Sequence, residues 1–322
     1  MANLLPELRA ASRNPLHRWG LRPVPVLPAD HLGSGRLVEI AGGRAYVETL
    51  GSGPPVVALP GFAGSSLSWR RLAENLKEHF TFHLFDFLGH GLSDKPSGAD
   101  HSPTGQARQI ENLTEALGID RCVLLSSSAS AQTAIHALFR RPRGYLACVM
   151  VAPFVAPGAL AGLAARLAAA RLAKYVMAGL FGVRAFVSLA NRMGRQGWSK
   201  APDNVIDEQY LPFGTPGYWD SLAASARFLR PRALSGIMQM IATPTLVVWG
   251  DGDRAGSLEG TRRVLSNLPD CRFVTIERCG HVVQEEKPEE LSQAILRLYE
   301  ELAARLPVKS ETAGSAQTAA GD

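Results

Sequence analysis

Short apolar runs alternate with amphipathic stretches along most of this chain, and that alternation restricts the fold more than any other feature. Leu37–Ile40 and Ala45–Leu50 have strand character and are joined by the turn pair Gly42-Gly43. Pro55–Leu59, Phe82–Phe85, Cys122–Leu125, Leu146–Val151, Thr245–Trp249 and Phe273–Ile276 are short and nearly continuous in apolar residues, the pattern of strands buried on both faces. Helical spacing appears between them: from Ser68 through Leu72 and Leu76, in Pro103–Leu117, in Ala131–Phe139, near Leu258–Leu268 and in Glu289–Leu302. Strands regularly separated by helices predict an α/β fold, a mostly parallel central sheet of about eight strands with helices on both faces.

The alternation stops between 153 and 240, where apolar spacing stays helical and no strand pattern is seen. This predicts a core made of 36–152 and 241–306, with 153–240 inserted as a helical cap over the C-terminal edge of the sheet, where such folds bind ligands. Residues 1–35, rich in Pro, Arg and Leu without a period, are expected to form an arm. The small polar residues of 307–322 are expected to form a disordered tail.

Composition removes several function classes. The chain has 46% hydrophobic and 20% charged residues, enough apolar material for a large core. Its net charge is +5 and its pI near 9.2, but Lys and Arg are scattered, so the reading is a solvated basic surface and no nucleic-acid partner. Cys122, Cys148, Cys271 and Cys279 form no C-x-x-C pair and no His cluster has zinc spacing, so no metal site is expected. Free thiols in apolar runs and an N-terminus without a basic, then apolar, leader point to a cytoplasmic protein. The most apolar stretch, 159–190, is interrupted by Arg166, Arg171, Lys174 and Arg184, which argues against a transmembrane segment. An amphipathic helix there, lying on a membrane or over an apolar pocket, stays open as peripheral membrane contact of the cap. Nothing in the sequence fixes an oligomeric state.

Four segments carry chemistry. Strand Cys122–Leu125 runs into Ser126-Ser127-Ser128-Ala129-Ser130 and then into a helix. A strand, tight turn and helix of this kind lifts a serine hydroxyl out at the top of a sheet, in the usual form G-x-S-x-G. Here Ser126 and Ser130 stand where glycine is usual, and the segment alone is equally well read as a serine-rich loop that caps a helix. Leu59-Pro60-Gly61-Phe62-Ala63-Gly64 follows another buried strand. Gly250-Asp251-Gly252-Asp253 closes a third and offers two carboxylates; Asp253 is chosen to orient a histidine, with Asp251 in reserve. Gly280-His281 follows the last strand, where a histidine can act as general base and then general acid. Each signal has a bland reading: a glycine-rich turn, a turn-forming Asp, a structural His. Ser, Asp and His in this order, each just past a strand, is the conjunction that favours a catalytic triad of Ser128, His281 and Asp253.

With these motifs the chain resembles the α/β-hydrolase superfamily, in its serine-nucleophile, capped esterase- and lipase-like branch, over roughly 36–305. The resemblance lies in Pro60-Gly61-Phe62-Ala63-Gly64, in Asp86-Phe87-Leu88-Gly89-His90-Gly91-Leu92-Ser93, in Gly250-Asp251-Gly252-Asp253 and in Gly280-His281. The family often has His before the first loop glycine; here Pro60 stands in its place. The resemblance implies an oxyanion hole made by the backbone N–H groups of Phe62 and Ala129 and a reaction without metal or organic cofactor. It implies hydrolysis of an ester through an acyl-enzyme. Carbon–carbon bond hydrolysis, acyl transfer or lyase chemistry are alternatives, and a non-catalytic ligand-binding homologue is a weaker one. The apolar cap, with Leu160, Leu163, Leu180, Phe181, Phe186 and Leu189, packs in part on the body and in part can line a pocket. With Tyr210, Trp219 and Phe228 it favours a hydrophobic small-molecule substrate.

Overall fold

The computed structural model describes residues 34–156, 184–229 and 234–305. The expected arm up to 33, residue 306 and the expected tail 307–322, and Leu180 and Phe181 of the cap lie outside these residues.

Eight strands form one sheet among the described residues: β1 (Arg36–Ile40), β2 (Gly43–Leu50), β3 (Pro55–Leu59), β4 (Thr81–Phe85), β5 (Cys122–Ser127), β6 (Tyr145–Val151), β7 (Thr245–Gly250) and β8 (Cys271–Ile276). Their spatial order is β1-β2-β4-β3-β5-β6-β7-β8. β2 pairs antiparallel with β1 and with β4, and every other neighbour pair is parallel. The helices between them are α1 (Arg70–Leu76), α2 (Pro103–Ala116), α3 (Ser130–Arg140), α4 (Arg184–Gly194), α5 (Asp203–Tyr210), α6 (Tyr218–Ala226), α7 (Ser235–Met238), α8 (Leu258–Leu265), α9 (Val283–Glu286) and α10 (Pro288–Arg305).

The apolar strand runs have a direct cause. Successive side chains of a strand point to opposite faces. In β5, Cys122 and Leu124 enter one core, with Ile110 and Leu113 of α2 and Ile135 and Leu138 of α3. Val123 and Leu125 enter the other, with Leu72 and Leu76 of α1 and Leu291, Ile295 and Leu298 of α10. β3 divides in the same way, Val57 and Leu59 against Val56 and Ala58. With both faces covered, the central strands are apolar along most of their length, and in β5 the polar residues Ser126 and Ser127 come only at its C-terminal end. Local signals set the helix starts: Ser102 caps α2 by accepting the Gly105 N–H at 3.0 Å, with Pro103 in the first turn.

Between β6 and β7 the described residues are helical or loop and contribute no strand. α4, α5 and α6 enclose a third, smaller cluster: Val187, Ile206, Tyr210, Leu211, Phe213, Tyr218 and Leu222. Phe62 and Ala63, from the loop after β3, pack against it. β3 and β5 are neighbours although β4 lies between them in sequence. The chain therefore leaves the sheet in opposite directions here, and the crevice beyond the carboxyl ends of these two strands is where such sheets bind ligands.

No helix among the described residues is long and apolar enough to cross a membrane.

Candidate active site

Ser128 sits between the last residue of β5 and the first turn of α3 with φ 54°, the left-handed region. A non-glycine residue there costs on the order of 1–2 kcal/mol, so the surroundings must hold it. The Ser128 N–H donates to Val151 O at 3.0 Å, and its carbonyl accepts from Phe154 N–H at 2.9 Å and Ala131 N–H at 3.2 Å. A Cβ on Gly61 would come within 3.2 Å of Ser128 Cβ and 3.3 Å of Ser127 O. The loop after β3 therefore passes close behind the serine with little room for a side chain.

The serines in place of the usual glycines behave differently from each other. The Ser130 hydroxyl accepts the Ser127 N–H at 3.0 Å and donates to Ser127 O at 2.8 Å. Pairing between β3 and β5 ends at Leu59↔Ser126, so Ser127 has no β3 partner, and the hydroxyl takes that place. Ser126 is fully buried, and its hydroxyl has no hydrogen-bond partner among the described residues.

His281 stands on the loop between β8 and α9, with Nε2 2.9 Å from Ser128 Oγ and Nδ1 2.8 Å from Asp253 Oδ2. A carboxylate only accepts, so the Nδ1 bears the proton and Nε2 is left to accept from the serine hydroxyl. The Asp253 side chain is 0% exposed and its other oxygen accepts the Ala255 N–H at 2.7 Å, so both oxygens are engaged. Asp251 points elsewhere: it accepts the Cys279 N–H at 3.2 Å and helps shape the His281 loop from behind. The backbone N–H groups of Phe62 and Ala129 have no hydrogen-bond partner among the described residues. Cys279 is buried, and burial pushes its thiol up to about 12, which leaves it protonated beside the site.

Asp86, first residue of the Asp86–Ser93 motif, is fully buried and accepts the Ser66 N–H at 2.6 Å and the Leu92 N–H at 2.9 Å. It joins the loop after β4 to the loop that carries Phe62. A small cavity of about 40 Å³, room for a few waters, opens beside Phe62 and Ala129. His90, His101, Gln106, Thr133 and Phe228 line it. His90 Nε2 is 3.0 Å from Ser225 Oγ, and burial, together with the neighbouring His101, pushes its pKa down to about 3.

Of the residues expected to line a substrate pocket, Tyr210 is only 4% exposed and stacks on Phe213 at 6.3 Å within the third cluster. Its ring therefore packs the inserted helices. Trp219, 5.5 Å from Phe213, is partly buried at the edge of that cluster. Sequence reasoning did not single out the Ser130 bridge, the His90–His101 pair, or Glu285 and Glu286, which follow His281 closely and whose contacts are described below. The only trace of the last was two adjacent acids shortly after His281.

A family model described as the alpha/beta hydrolase family matches residues 56–294. A pimeloyl-[acyl-carrier protein] methyl ester esterase of Nitrosospira multiformis is 26% identical over 266 residues, 78% of this chain and 97% of that protein. A 2-(acetamidomethylene)succinate hydrolase of Mesorhizobium japonicum is 27% identical over 282 residues, 84% and 96% of the two chains. Among solved structures, a meta-cleavage product hydrolase from Pseudomonas fluorescens superposes with a TM-score of 0.70 at 18% identity, covering 84% of this chain and 99% of its own. With its eight-stranded sheet and a family match over most of its length, this chain belongs to the alpha/beta hydrolase family.

Proposed function

We propose that the protein hydrolyses an ester, or a related acyl bond, of a hydrophobic small molecule through an acyl-enzyme on Ser128. The observation that carries this reading is the continuous chain of contacts Ser128 Oγ–His281 Nε2 at 2.9 Å and His281 Nδ1–Asp253 Oδ2 at 2.8 Å. In the reading, Ser128 Oγ attacks the acyl carbon and His281 takes its proton. Asp253 holds the imidazole and stabilises it once charged. The carbonyl oxygen gains negative charge as the tetrahedral intermediate forms, and the unpaired N–H groups of Phe62 and Ala129 are the donors assigned to it. His281 then gives its proton to the leaving alcohol, and a water activated by the same imidazole releases the acid. Residues 153–240 act as the cap. The apolar cluster behind Phe62 and Trp219 favours a hydrophobic rather than a sugar-like substrate.

A fluorophosphonate probe tests the reading. The folded wild type is expected to be labelled at Ser128, and Ser128→Ala and His281→Ala are expected to lose the label. Folded wild-type protein that resists the probe would sink the acyl-enzyme mechanism. A labelled protein that turns over no ester in an acyl-chain series, but cleaves an activated carbon–carbon bond, would keep the nucleophile and replace the substrate class.

A further inference from the structure

Behind His281, four side chains close a ring between the inserted helices and the core. Arg195, just past α4, donates from Nη2 to Glu285 Oε2 at 2.6 Å, and Gln209 of α5 donates to Glu285 Oε1 at 2.8 Å. Asn191 of α4 donates to Gln209 Oε1 at 2.9 Å and accepts from Arg195 Nε at 2.7 Å. Arg195 and Glu285 are 8% and 5% exposed, so the pair is buried with its polar atoms satisfied from several sides. The adjacent residue, Glu286, spans the same junction: Oε1 accepts the Gly280 N–H at 3.0 Å and Oε2 accepts the Gln196 N–H at 2.9 Å. The His281 N–H itself donates to Gly194 O at 2.7 Å. A Cβ on Gly280 would fall 2.3 Å from that same carbonyl oxygen, so the two strands of backbone lie against each other.

The consecutive residues Gly194, Arg195 and Gln196 are thus each tied to the segment Gly280–Glu286, by a carbonyl, a guanidinium and a backbone N–H. We infer that Glu286 is a positioning residue: its two oxygens bind the inserted strap to the histidine loop and so set where His281 stands relative to Ser128. The inserted segment at 194–196 is then part of the mounting of the general base, not a cover that opens independently of it. Each bond argues in this direction. The strap offers His281 its only backbone acceptor among the described residues, and Glu286 neutralises a backbone N–H on each side of the seam. The inference rests on the reading of Ser128 and His281 as the reacting pair.

The test is Glu286→Gln, which keeps size and one acceptor oxygen but places an amide nitrogen against one of the two N–H groups. Glu289→Gln, an exposed acid on α10, is the charge control. Displacing a catalytic group by a fraction of an ångström costs on the order of ten- to hundredfold in rate, and that fall is expected in fluorophosphonate labelling and in ester kcat. KM should hold, because no substrate contact is removed. Amide exchange should quicken in peptides spanning 194–197 and 277–287, while Glu289→Gln matches wild type in every readout. A Glu286→Gln protein that loses thermal stability yet labels at the wild-type rate would overturn the inference, since that is what a merely structural contact predicts. Wild type that never labels would refute the acyl-enzyme reading instead. The strap would then be judged by exchange alone, and unchanged exchange in Glu286→Gln would overturn it.

Discussion

The two serines that flank the elbow should respond to the same substitution with opposite signs. Ser130→Ala removes the acceptor of the Ser127 N–H and the donor to Ser127 O. Ser127 is 5% exposed, so water cannot replace the lost partner. A buried donor left unpaired costs about 1–3 kcal/mol, and the second bond adds about 0.5–1.5 kcal/mol. Alanine returns up to about 0.5 kcal/mol of helix propensity at the start of α3. The expected net loss is about 1–4 kcal/mol. Glycine, the usual residue at this place, should be worse by up to about 1 kcal/mol through backbone entropy. Ser126→Ala removes a fully buried hydroxyl that has no partner among the described residues, so its desolvation penalty disappears with it. Against this stands only the loss of one packed oxygen, and stability should be unchanged or rise by about 1 kcal/mol. Urea unfolding at equal m-value measures both. Ser126→Ala as damaging as Ser130→Ala, or a stabilised Ser130→Gly, would refute the assignment of the two hydroxyls.

Two further perturbations separate alternatives on the same structure. Asp253→Asn should lower ester turnover by about 10³–10⁴-fold, by loss of the tautomer and of imidazolium stabilisation, whereas Asp251→Asn should cost less than about tenfold; equal losses would mean that the wrong carboxylate has been assigned. The acid side of the stability profile should report His90. Its folded pKa is depressed to about 3 by burial and by the neighbouring His101, so below its unfolded value near 6.5 the unfolded chain takes up a proton that the folded one refuses. Stability is therefore complete at neutral pH and lost as pH falls through that window, by about 2 kcal/mol at pH 5. Urea midpoints at pH 7 and pH 5 check this, and His90→Gln should flatten the difference; an equally steep profile in the variant would clear His90 of the effect.

The fold was legible because the central strands are buried on both faces. Cys122–Ser127 is buried at every position and its first four residues, Cys122–Leu125, are apolar without a break, so the strand announces itself without alternation. The position of Ser128 was legible for a related reason, since it directly follows such a strand, and Asp253 follows the equally buried β7, whereas β8 before His281 is only partly buried. The Ser130 bridge was not. It depends on β3 pairing ending at Leu59, one residue short of Ser127, and register is not written in a sequence of two apolar runs. The place of Tyr210 was equally hidden: aromatic composition marks a residue for burial but does not say in which cluster, and here it is the inserted helices' own.

What remained illegible shares a physical character. Ser128 is held by Ala131 of its own helix, by Val151 of the neighbouring β6 and by Phe154 just past that strand. The partners proposed to act on it are held differently. The loop carrying Phe62 packs on the third cluster, and Tyr218 Oη of α6 donates to Ala63 O at 3.2 Å across 155 residues of sequence. The His281 loop is strapped to Gly194–Gln196 through bonds that also reach across insertion and core, with Arg195 and Glu285 90 residues apart. A nucleophile built from local structure can be read from a local motif. The proposed base and the proposed oxyanion loop, braced by a segment inserted between β6 and β7, cannot, because their geometry is decided by long-range polar contacts whose residues carry no pattern of their own. The same division predicts where the protein tolerates change. Substitutions on the exposed side of α4–α6 can alter what the crevice admits, but those at Asn191, Arg195, Gln209 and Tyr218 act from behind on the groups proposed to react.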